Sequence, residues 1–60
     1  MNELEYLLKV IRGEMNAHRE FIARDNCKDF AHYKYLCGLI RGLEVAEEYT
    51  KALAEKVKND

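Results

Sequence analysis

The chain has 60 residues, ten Lys and Arg against eleven Asp and Glu for a net charge of −1, and neither proline nor tryptophan. That length allows one domain, with too little core to be comfortable alone. The evenly mixed charge argues against bulk electrostatic binding to nucleic acid or an anionic membrane, and no apolar run approaches the ~20 residues of a bilayer span.

Residues 2–24 predict a first helix. Steps of four and three link Leu4, Leu8, Ile11, Met15, His18 and Ile22 into an apolar seam, widened on one side by Leu7 and Phe21. Glu5, Arg12 and Arg19 fall on the other side, where they are expected to be wet. Asn2 is placed to cap the start, Glu3 and Glu5 favour the positive end of the dipole, and Gly13 falls on the outer face. Met1 to Tyr6 carries two glutamates and no basic residue, so no signal peptide is expected. Tyr6 and Val10, one turn apart on the back of the helix, form a second contact patch with Leu7 or are simply half-exposed.

Arg24-Asp25-Asn26-Cys27-Lys28 is the turn-like stretch. Asn26 is expected to go left-handed or to cap the next helix, a task open to Asp25 as well. So short a connection makes the two helices antiparallel neighbours.

Residues 27–58 predict a second, longer helix. Its seam runs His32, Leu36, Leu39, Leu43, Ala46, Thr50, Leu53, Val57, with Tyr33 and Ile40 on one side and Tyr35, Gly42 and Tyr49 on the other. A stripe this wide suits a helix with two or more neighbours. At 1.5 Å per residue the helices measure ~35 and ~45 Å, so the second is expected to overhang at Tyr49, Leu53 and Val57. Gly38 and Gly42, four apart, together cost roughly 2 kcal/mol inside a helix, which suggests compensation by close packing.

The expected fold is an all-α antiparallel hairpin that assembles into a four-helix bundle or larger oligomer, with Leu36, Leu39, Ile40, Gly42, Leu43, Ala46, Tyr49, Leu53 and Val57 at the interface. Chemistry is sparse. No nucleophile–base–orienter set or phosphate loop is present, so no catalytic residue and no cofactor is expected. His18 and His32 lie on seams, with Glu14 and Asp29 one turn before them; such sets hold metals in bundles, but the spacing is unspecific and favours ordinary bundle residues. Lys9, Arg12 and Arg19 form a short basic stripe fit for a nucleic-acid backbone, or a merely solvated face. Cys27 and Cys37, without CxxC spacing, suit a reducing compartment; on one helix they would stand ~15 Å apart, beyond an intrachain disulfide.

The run Tyr33-Lys-Tyr-Leu-Cys-Gly-Leu-Ile-Arg-Gly-Leu-Glu-Val-Ala resembles a Tyr-x-x-Leu-x-Gly-x-Ile-x-Gly-Leu pattern in small proteins of tailed bacteriophages, matching at Leu36, Gly38, Ile40, Gly42 and Leu43, with Tyr33 preceding them. The resemblance covers about a quarter of the chain and implies a virion-associated or host-directed helical protein, found in the host cytoplasm or the virion. The expected architecture is also similar, in size and fold only, to plasmid-copy-control RNA-binding hairpins that dimerise into four-helix bundles. The function expected is a non-enzymatic interaction or structural module whose partner is itself or another phage or host protein. A nucleic-acid binder and a metal-binding bundle stand as rivals.

Overall fold

A computed structural model describes residues 2–59, which form two antiparallel α-helices and, among the described residues, no strand: α1, Glu3–Ala23, and α2, Phe30–Asn59. Asn2 caps α1 as its sequence suggests, its side-chain oxygen accepting from the Glu5 backbone N–H at 2.8 Å.

The turn departs from expectation in both its parts. Asp25, not Asn26, takes the left-handed conformation, at φ 59°. The Asn26 N–H reaches back to the Phe21 carbonyl and the Asp25 N–H to that of Ile22, the bond pattern of a Schellman cap. The second helix then begins at Phe30, three residues later than its periodicity suggests, because Asp29 is its cap. The Asp29 side chain accepts from the His32 N–H at 2.8 Å, while His32 Nδ1 accepts from the Lys28 N–H at 3.1 Å. This is a reciprocal arrangement like the capping box, with histidine where glutamate is usual. His32 is further held edge-on against the Phe21 ring, centroids 5.6 Å apart, which ties the end of α1 to the start of α2.

Between the helices lie the buried side chains Ile11, Met15 and Leu36, none of them wholly shut off from solvent. The Cα trace is a slab of 47 × 17 × 12 Å, one helix thick, so nearly every side chain has solvent on some side. The expected overhang is shorter than the helix lengths imply. Asn2, Glu3 and Leu4 line an open pocket of about 420 Å³ together with Val57, so the start of α1 reaches the level of Val57. Tyr49 and Leu53 are exposed because of the direction they face. No described helix is long and apolar enough to cross a membrane.

Candidate interaction surface

The two broad sides of the slab differ in chemistry. On one, Arg12 donates to Glu47 at 2.6 Å and Arg19 approaches Glu44 at 3.9 Å. Arg12 and Arg19 stand seven apart on α1, and Glu44 and Glu47 three apart on α2, so each pair shares a helical face. The basic stripe of α1 is solvent-exposed, as expected, and two of its three members also approach carboxylates of α2. Lys9 is exposed and stands outside these pairs. The Arg12 guanidinium holds the Glu47 carboxyl below its ordinary range through the hydrogen bond, against a smaller opposing effect of burial.

Although Phe30 and Tyr33 are exposed on the ion-pair side, the opposite side carries more of the exposed apolar side chains. Leu7, Val10 and Phe21 of α1 are exposed there, as are Tyr35, Tyr49, Leu53 and Val57 of α2. Helical spacing puts these residues about a sixth to two fifths of a turn from the core on the flank away from the ion pairs. The expected interface set divides accordingly. Leu36 is spent on the hairpin's own core; Leu39, Ile40, Leu43 and Ala46 are half-buried; Gly42, Tyr49, Leu53 and Val57 are exposed.

The glycines do not serve the hairpin itself. A Cβ built on Gly38 or on Gly42 meets nothing within 4 Å, so the close approach expected at Gly42 is not made inside the chain. Both glycines lie on an outward stripe that steps by three and four through Tyr35, Gly38, Gly42, Val45, Tyr49 and Ala52. Sequence reasoning centred on the main seam passes over this second stripe. Its legible signal is the heptad spacing of Tyr35, Gly42 and Tyr49.

The candidate metal ligands come together in pairs only. His18 Nε2 lies 3.8 Å from a Glu14 oxygen, and Asp29 and His32 are occupied with the cap of α2. No group of three or more His, Cys, Asp or Glu with metal-binding geometry occurs among the described residues. Cys27 sits in the turn and not on α2, so the on-helix spacing does not apply; both cysteines are free thiols, half-buried. The neighbouring Cys37 thiol is the main cause that pushes the Tyr33 hydroxyl above its ordinary range.

Neither a scan of protein-family models nor searches of curated proteins and of solved structures found a match to this chain.

Proposed function

We propose that the chain is a non-enzymatic structural module that works by self-assembly through its apolar side. One observation carries this reading. The molecule exposes 4852 Å², about 800 Å² more than the ~4,100 Å² expected of a compact folded chain of 7.1 kDa. A standard interface takes ~800 Å² from each partner. The surplus comes from the one-helix thickness of the slab, and seven of the ten large apolar side chains it exposes, Leu7, Phe21, Tyr35 and Leu53 among them, lie on the side away from the ion pairs. A slab of this thickness also has no depth in which to surround a substrate. The likeness of the Tyr33–Leu43 run to hairpin proteins of tailed bacteriophages supports a viral setting, in a virion or directed at a host protein.

Light scattering over a concentration series tests the reading, comparing the wild type with Tyr49→Lys/Leu53→Lys. Both positions are exposed in the hairpin, so the variant should keep its helicity. Self-assembly requires a wild-type mass of two or more chains that falls to one chain in the variant. A wild type that stays at one chain, with a melting temperature independent of concentration, removes the reading.

A further inference from the structure

From the outward stripe of α2 and the charges beside it, we infer that the partner is a second copy of this chain, packed with its α2 antiparallel to the first across Gly38 and Gly42. The inference rests on the self-assembly proposed above and fixes its geometry.

Lys34, Arg41, Glu48 and Glu55 recur every seven residues, the first three each one position before a stripe position and Glu55 one before Lys56, where the same spacing leaves the apolar stripe. They therefore line one flank of the stripe as two bases followed by two acids. All four are exposed, and none takes part in an ion pair within 4.0 Å among the described residues. They are also two turns apart, too far to pair with each other along the helix. The other flank of the stripe is Leu39, Ala46 and Leu53, one position after Gly38, Val45 and Ala52.

Orientation follows from which flank meets which. Two parallel helices packed on the same stripe bring the charged flank of one against the apolar flank of the other. Two antiparallel helices bring like flank to like flank. The antiparallel pair thus joins apolar flank to apolar flank on the side that continues into the apolar face of α1. It joins the charged residues to one another on the opposite side.

Register follows from the order of the charges. A single alignment sets Lys34 beside the partner's Glu55 and Arg41 beside the partner's Glu48. The two-fold axis repeats both pairs, giving the reciprocal contacts that an isologous interface requires. The same alignment, to within two residues, sets Tyr35 against the partner's Ala52, Gly38 against the partner's Tyr49 and Gly42 against the partner's Val45. Each exposed tyrosine meets a small residue, and the open space over each glycine receives an apolar side chain. With α1 antiparallel to α2 inside each chain, every helix of the resulting dimer runs antiparallel to the helix it packs on.

Sedimentation equilibrium on charge variants, with circular dichroism to confirm helicity, tests the register. Arg41→Glu replaces two attractive contacts per dimer with repulsive ones and should weaken dimerisation about tenfold, more at low salt. Arg41→Glu/Glu48→Arg swaps the pair and should restore it. A short bifunctional thiol reagent tests orientation in a Cys27→Ser/Cys37→Ser background. Val45→Cys, near the axis, should cross-link the dimer. Tyr35→Cys should not, because antiparallel copies hold the two positions 35 about 25 Å apart. An oligomer indifferent to Arg41→Glu, or cross-linked equally well from positions 35 and 45, overturns this geometry and leaves self-assembly standing. A single chain at every concentration overturns both.

Discussion

Arg12 of α1 and Glu47 of α2 meet at 2.6 Å, and theirs is the only side-chain hydrogen bond that joins the two helices among the described residues. It links the two helices on their charged side. The pair is part-exposed, with 51% and 24% of the two side chains accessible, so solvent screens it and its contribution is small. Its pH dependence has a definite sign. The folded carboxyl of Glu47 titrates below its ordinary value. The stability it contributes is therefore present at and above the ordinary carboxylate range, and is lost as pH falls through the lowered folded value. Thermal melts across an acid series should show a loss in the wild type that is shallower in Glu47→Gln. Parallel curves for the two proteins would show that the pair is not linked to folding.

Met15 is 3% exposed, the least of any described residue in the apolar core, and shares that core with Ile11 and Leu36. Met15→Ala should cost ~2–5 kcal/mol. For a domain whose whole stability rarely exceeds ~5 kcal/mol, that is close to complete loss of structure. Chemical denaturation followed by far-UV circular dichroism measures it. A loss under ~1 kcal/mol would mean that the core lies elsewhere, since even small buried deletions reach that size.

The turn offers a gain and a loss at two neighbouring aspartates. Asp25 pays for a left-handed backbone that glycine adopts without strain. Asp25→Gly should stabilise by ~0.5–1 kcal/mol, a rise of about 2–8 °C in a domain of this size. Asp29 caps α2, and Asp29→Ala should cost ~0.5–2 kcal/mol. The same glycine placed at Asn26 should give no gain. Equal effects at positions 25 and 26 would contradict the Schellman geometry.

The seams at Leu4–Ile22 and Leu36–Thr50, the short connection between them and the Asn2 cap are all legible from spacing, because each depends on neighbours three or four residues away. The start of α2 is not. Cys27, Lys28 and Asp29 carry nothing that forbids a helix, and Asp29-x-x-His32 lacks the glutamate by which a capping box is usually known. The partners of Arg12 and Arg19 are hidden for a different reason. They depend on how α1 slides along α2, which the backbone of the turn decides. The outward stripe of α2 was visible in outline through Gly42 and Tyr49. Its independence of the hairpin core appears only once Gly38 and Gly42 are seen to face open space.

Those two glycines provide the sharpest separation between fold and assembly. Within one hairpin an added methyl at Gly38 or Gly42 touches nothing, so Gly38→Ala/Gly42→Ala should raise the stability of the isolated helix pair by roughly 1 kcal/mol per site. Across the antiparallel interface the same methyls occupy the space assigned to the partner's Tyr49 and Val45, and overpacking there opposes association. The two effects separate with concentration. Dilute variant should melt higher than dilute wild type. Concentrated variant should lose that advantage, because the wild type gains from association and the variant gains less. Melts at a low and a high protein concentration, with mass measured at both, provide the comparison. If the variant is stabilised equally at both concentrations while the wild type is oligomeric, the glycines lie outside the interface and the antiparallel packing across them is wrong.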